Sequence, residues 1–199
     1  MENRNVLKVK ETKPRYQIAY IPGDDSGFDV MEGAMIVMQA MDKAFGLPID
    51  WVRADMGWCM WAKSCLEFPE GDPRRNTVPE ETKKILRESD AALMAAITSK
   101  AGVKGFKSAI LQMRQLFDLY INLRPAKSMP GIICPLKGDP KVDIVMFREN
   151  TEDLYAAVEF RPTPKEHFEM HPGMARFKDK EEVAVSWKVF SKEGCERII

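Results

Sequence analysis

The sequence carries no net charge: 30 Lys and Arg are matched by 30 Asp and Glu over 199 residues. That balance argues against a nucleic-acid binder, whose affinity rests on neutralising phosphates. No apolar run approaches the roughly 18 residues of a membrane span, and the start Met1-Glu2-Asn3-Arg4 lacks the apolar segment of a secretion signal. A cytoplasmic chain without nucleic-acid or membrane partners is therefore expected. The four cysteines, Cys59, Cys65, Cys134 and Cys195, show no C-x-x-C spacing, which gives a disulfide framework or a zinc knuckle little support and makes buried or spectator thiols the better reading. Histidine is scarce as well, with two in the chain. Apolar residues make up 45%, enough to build a core and to exclude disorder of the whole.

The hydrophobic pattern alternates between two periods. Residues 15–21 (RYQIAYI) alternate and then turn apolar, as a strand entering a sheet does, and Pro22-Gly23-Asp24-Asp25 stops them. Residues 28–45 follow with Val30, Ala34, Val37, Met38 and Met41 at spacings of three and four, which predicts a helix burying that stripe. A second strand is expected over 48–54, then an irregular aromatic-rich excursion over 55–76, then a helix capped by Thr77 with Pro79 in its first turn. Residues 90–97 (DAALMAAI) read as a buried parallel strand, and 107–117 as a helix with Ile110, Leu111 and Leu116 turned inward. Strand and helix in alternation mean an α/β fold. Strands are further expected over 118–123, 142–147, 156–160 and 181–189. The change of texture after Leu123-Arg124-Pro125 places a domain boundary at 123–126, giving units 1–123 and 124–199, the second with a charged arm at about 161–181.

Three features resemble chemical motifs without meeting their requirements. The turn Pro22-Gly23-Asp24-Asp25-Ser26-Gly27 lacks G-x-G-x-x-G, and its two aspartates would repel a pyrophosphate, so a plain strand-to-helix turn is the stronger reading. His167, Glu169 and His171 have the order H-x-E-x-H rather than H-E-x-x-H, and solvated histidines on a polar arm are preferred to a metal pair. Trp51, Trp58 and Trp61 with Met56 and Met60 read as cover for a core edge or a subunit contact. More informative is the placement of Arg114 on an otherwise apolar helix, Arg124 closing one predicted strand and Arg148 at the C-terminal end of another. Ligands in open α/β sheets bind at such strand ends. Three guanidiniums there can each fork onto a carboxylate of a di- or tricarboxylate.

These residues lie in segments that resemble a known family. IAYIPGDDSGFDV (18–30), NTVPEETKKILRESDAALMAAITSK (76–100), KSAILQMRQLFDLYINLRPAK (107–127) and DIVMFRENTEDLYAAVEF (143–160) are similar to the β-decarboxylating dehydrogenases, the isocitrate and 3-isopropylmalate dehydrogenase family. The resemblance implies that family's α/β fold in incomplete form and the oxidative decarboxylation of a 2-hydroxy acid, isocitrate first, with 3-isopropylmalate as the alternative. It implies that Ser108, Arg114, Arg124 and Arg148 hold substrate carboxylates, that Tyr155 protonates the enolate left by decarboxylation, and that Thr98 contacts the nicotinamide end of NAD or NADP. Hydride transfer makes a β-keto acid, which loses carbon dioxide as Mg²⁺ or Mn²⁺ polarises its carbonyl.

Family chains run on past the counterpart of Ile199, and that portion supplies the catalytic lysine, the metal-binding aspartates and the adenosine loop. Their absence here predicts a 199-residue chain that is inactive alone: the front portion of an enzyme or, alternatively, a non-catalytic regulatory or assembly subunit. The expected partners are a hydroxy-carboxylate and a second family chain, as homodimer or heteromer. In the turn where the family has G-D-G-I-G, Asp25 replaces a glycine and would strain the backbone if its φ were positive.

Overall fold

The computed structural model describes residues 13–100 and 102–199. They form two compact units that divide between Gln112 and Met113. In the first, the parallel strands β1 (Tyr16–Ile21), β2 (Ile49–Arg53) and β3 (Ala91–Met94) lie in the order β2-β1-β3. Helix α1 (Ser26–Phe45) makes the crossover from β1 to β2, and α2 (Trp58–Glu67) and α3 (Glu80–Glu88) join β2 to β3. This is the α/β fold expected. Ile21, Met56 and Val78 are fully buried, and every buried apolar side chain among the described residues belongs to this unit.

Several local expectations are corrected. Helix α1 buries Met31 and Met35, with Ala34 and Met38 half-buried, whereas Val30, Val37 and Met41 of the predicted stripe are exposed. The stripe is rotated because an all-round apolar helix, rich in Met and Val on several faces, leaves its 3.6-residue period without a unique phase. Gly46 ends α1 in the left-handed region (φ 61°, ψ 39°), its N–H donating to the Asp42 carbonyl. Residues 55–76 are not wholly irregular, since α2 occupies ten of them. Thr77 does not cap α3: Pro79 takes that position, while the Thr77 hydroxyl donates to the Lys107 carbonyl at 2.8 Å and accepts from Gln112. Strand β3 is short and largely exposed rather than buried, since it is an edge strand next to β1.

The second unit rests on α4 (Ala109–Leu116), through which the division passes, and on an antiparallel ribbon of β4 (Ile121–Lys127) and β5 (Asp143–Glu149). Strand β4 runs through Arg124 and Pro125 instead of ending before them, because all seven of its residues pair with β5, Arg124 opposite Met146 and Pro125 opposite Val145. Leu116 on α4 is exposed. A 3-10 turn at Leu154–Ala156 and short β6 (Glu159–Phe160) stand where a strand over 156–160 was expected. β6 pairs with β7 (Val185–Ser186), and α5 (His167–Met170) and α6 (Pro172–Ala175) lie between them. Helix α7 (Lys192–Ile198) closes the chain. Among the described residues no helix is long and apolar enough to cross a membrane.

Candidate functional site

In the first unit the chemistry gathers at the carboxyl end of β1. Asp24, 2% exposed, accepts backbone N–H donors from Trp58 (2.8 Å), Cys59 (2.8 Å) and Thr98 (3.0 Å). A carboxylate from one loop thereby caps the N-terminus of α2, where free amides and the helix dipole favour negative charge. Gly57, at φ 117°, admits this approach, because a Cβ there would run into the Asp24 carboxylate. The next residue, Asp25, has φ 50° and ψ −120°, the positive φ that the replaced glycine had foreshadowed. Its carboxylate accepts from the Thr98 hydroxyl at 2.5 Å. The predicted cofactor contact Thr98 is thus fixed by two consecutive aspartates, and the predicted substrate residue Ser108 shares a hydrogen bond of 3.2 Å with Ser99.

Beside this, the Cys59 thiol lies against the Gly23 carbonyl at 3.8 Å. Burial, reinforced by Asp24, pushes its pKa up to about 11, leaving it a thiol at neutral pH. All four cysteines are free. A groove of about 700 Å³, bordered by Trp61, Arg75, Thr77, Lys107 and Gln112, opens in the same unit, and none of the sequence-predicted site residues lines it.

In the second unit three of the predicted residues meet. Arg148 donates a hydrogen bond to the Tyr155 hydroxyl, and the Arg114 guanidinium lies 5.0 Å from the centre of the Tyr155 ring. Gln115, one residue after Arg114, donates to the Tyr155 carbonyl at 3.2 Å. Arg124 is reached through the ribbon's register: Asn122 pairs with Arg148, and Arg124, two residues further on, lies on the same face and donates to the Asn122 amide oxygen at 3.2 Å. Among the described residues, no carboxylate forms an ion pair with Arg114, Arg124 or Arg148, whereas Arg15, Arg53, Arg74, Arg161 and Arg197 all have one. Among the described residues, therefore, none of the three arginines is salt-bridged. Arg114 and Arg148 present their positive charge beside the Tyr155 phenol, and Arg124 lies on the ribbon face that carries Arg148.

Sequence reasoning passed over the supports of this site. Glu149 accepts from the Thr151 hydroxyl (2.6 Å) and from the backbone N–H groups of Thr151 and Glu152. Burial pushes its pKa up, but those hydrogen bonds outweigh it and hold the carboxyl below its ordinary value. The spacing of S/T one or two residues from E in Glu149-Asn150-Thr151-Glu152 was the available signal for such a turn.

The histidines also differ from expectation. His167 is half-buried between the rings of Phe160 and Trp187, 4.6 and 5.3 Å between centres, rather than solvated. His171 is exposed, and its Nδ1 accepts from the Gly173 N–H to cap α6. Trp58 and Trp61 pack on Phe106, and Trp51 donates separately to Asp42 at 2.6 Å. Among the described residues, no group of three or more His, Cys, Asp or Glu could hold a metal ion.

The chain is similar to known proteins over most of its length. Residues 17–199 match the family profile described as isocitrate/isopropylmalate dehydrogenase. The isocitrate/homoisocitrate dehydrogenase of Thermus thermophilus is 38% identical over 186 residues, covering 92% of this chain and 44% of the relative. The 3-isopropylmalate dehydrogenase of Methanothermobacter thermautotrophicus is 38% identical over 144 residues, 72% of this chain and 37% of the relative. A crystal structure of a Thermus thermophilus protein aligns with a TM-score of 0.69 at 29% identity, covering 92% of this chain and 31% of that one. The chain spans less than half the length of each of these relatives.

Proposed function

The chain belongs to the isocitrate/isopropylmalate dehydrogenase family, and from that premise we propose that it is the carboxylate-binding portion of an NAD(P)-linked oxidative decarboxylase acting on a 2-hydroxy di- or tricarboxylic acid, isocitrate first. The observation that supports this reading is the pair Arg114 and Arg148 at Tyr155, with Arg124 on the same ribbon face as Arg148, none of the three ion-paired among the described residues. In this reading each guanidinium fixes one end of the substrate, so the reacting carbon is oriented before chemistry starts. Tyr155 gives its hydroxyl proton to the enolate carbon, and the Arg148 N–H stabilises the phenolate that remains. Thr98 keeps acceptor capacity on its hydroxyl oxygen for a nicotinamide amide while its proton is held by Asp25.

The family's chemistry also uses Mg²⁺ or Mn²⁺ as a Lewis acid toward the substrate carbonyl. The described residues do not supply a donor set for it. Isolated, the 199-residue chain is accordingly proposed to bind substrate without turning it over. Assembly with a second family chain and a cytoplasmic location belong to the same proposal. A second reading, a 3-isopropylmalate-type substrate, has Met146 and Ile144 in its favour, since both lie on the ribbon face that carries Arg124 and Arg148 and would suit an apolar group.

Calorimetric titration of isocitrate and of 3-isopropylmalate against the purified chain, with and without Mg²⁺, tests this. Isocitrate is expected to bind, and Arg148→Ala to weaken it about tenfold or more, the loss of a charge-assisted hydrogen bond. Binding that Arg114→Ala and Arg148→Ala both leave unchanged would remove the arginine cluster from the site, and metal-dependent isocitrate oxidation by the chain alone would overturn the proposed inactivity.

A further inference from the structure

The turn that joins Arg148 to Tyr155 is gripped at both ends by one helix. At the N-terminus of α7, the Glu152 carboxylate accepts from the Ser191 N–H (2.9 Å) and hydroxyl (2.5 Å), and the Ser191 oxygen accepts from the Gly194 N–H (2.8 Å). Gly194 is buried beneath that carboxylate, where a Cβ would collide with it. Just before α7, Asp153 and Val189 form a bridge, the Asp153 N–H donating to the Val189 carbonyl at 2.8 Å. At the other end of α7, the Arg197 guanidinium divides its donors. One arm reaches the Thr151 hydroxyl at 2.7 Å, and the other reaches the Asp118 carboxylate at 3.0 Å. The guanidinium also lies 4.6 Å from the centre of the Tyr120 ring and 3.9 Å from Glu149. Its side chain is 25% exposed.

Each arm holds a different part of the arginine cluster. Thr151 relays its contact to Glu149, the residue after Arg148, and starts the turn that ends at Tyr155. Asp118 sits at φ 45° in the turn where α4, the carrier of Arg114, ends. Resting on the reading of Arg114, Arg148 and Tyr155 as a carboxylate site, we infer that Arg197 is a positioning residue that sets the spacing between the Arg114 segment and the Arg148–Tyr155 turn. It does not touch the substrate. Lysine cannot replace it fully, because a single ammonium on a flexible stem does not fork across two acceptors that face it from different segments.

Tyrosine gives a direct readout, since the chain has four: Tyr16 and Tyr20 in the first unit, Tyr120 against Arg197, and Tyr155. The chain is labelled with 3-fluorotyrosine, its Tyr155 resonance identified with Tyr155→Phe, and fluorine spectra are recorded alongside isocitrate titrations. Arg197→Ala is expected to shift or broaden the Tyr155 resonance while Tyr16 and Tyr20 stay in place, and to weaken isocitrate about tenfold. Arg197→Lys falls between the two, and Lys192→Ala, on the exposed face of α7, leaves Tyr155 unmoved. A folded Arg197→Ala chain with lower stability but an unaltered Tyr155 resonance would make Arg197 merely structural and overturn the inference. If Arg197→Ala does not fold, Thr151→Val, which severs one arm, is read by the same criterion. A wild-type chain that binds no hydroxy-carboxylate, yet whose Tyr155 resonance responds to Arg197→Ala, would refute the carboxylate site and leave the bracing standing.

Discussion

Asp24 and Asp25 are neighbours in sequence with opposite energetic roles. Removing the Asp24 side chain leaves three backbone N–H groups without their acceptor in a buried pocket. Asp24→Ala is therefore expected to cost about 3 kcal/mol, read from urea unfolding of the first unit by its tryptophans. Asp25→Gly removes a hydrogen bond of about 1 kcal/mol and relieves a strained φ of comparable cost, so the two nearly cancel and stability should change by less than about 1 kcal/mol. A loss above about 2 kcal/mol in that variant would show that the Thr98 contact outweighs the strain. The strain at Asp25 was legible through the family resemblance, which puts a glycine at that position of the turn. The cap made by Asp24 was not, since its partners lie 34, 35 and 74 residues away.

At the level of elements, α7 depends on carboxylates rather than on apolar burial. Hydrogen bonds from Ser191 hold Glu152 below the ordinary glutamate value of 4.5, and Glu149 is held below it as well. Groups whose native pKa is depressed bind fewer protons folded than unfolded. Their stabilisation is then complete above about pH 4.5 and is lost as pH falls through the lower native values. Acid titration followed by amide exchange in 192–198 should show α7 opening below pH 4.5, and Glu152→Gln should flatten that dependence while lowering stability at pH 7. Gly194→Ala should open α7 at neutral pH too, because its methyl displaces the capping carboxylate. Element identity was readable wherever periodicity had one solution, as in β1 and α3. It failed for 55–76, where aromatic residues masked the ten-residue α2; in α1 the helix was right and its buried face wrong, because its apolar residues fit more than one face. The ribbon was misjudged at Pro125, because a proline within a two-stranded ribbon sits on an edge, where its lacking N–H is tolerated.

Across the molecule, hydrophobic stabilisation is unevenly shared. The buried apolar side chains of the described residues, Ile21, Met31, Met56, Trp61, Val78 and Leu86 among them, all precede Gln112, each contributing about 2 kcal/mol. The buried side chains after it are polar, Asn150 and Thr163. Residues 113–199 are therefore expected to exchange amides and to be cut by protease at lower denaturant than 13–112. Equal protection in both would show that side-chain hydrogen bonding compensates for the sparse apolar core. The α/β class and the arginine set could be read from the sequence because strand and helix periods and residue types are local properties. The boundary could not be read in the same way: proline and glycine suggested 123–126, whereas pairing of β4 with β5 draws the whole strand into the second unit. That ribbon has a further, colloidal consequence. Leu123, Val145 and Phe147 stand more than half exposed on one of its faces, on a chain whose positive and negative charges cancel near its isoelectric point of about 6.8. At neutral pH, then, little electrostatic repulsion keeps one copy's ribbon from another's, and solubility passes through its minimum near the isoelectric point, rising on either side as charge of one sign accumulates.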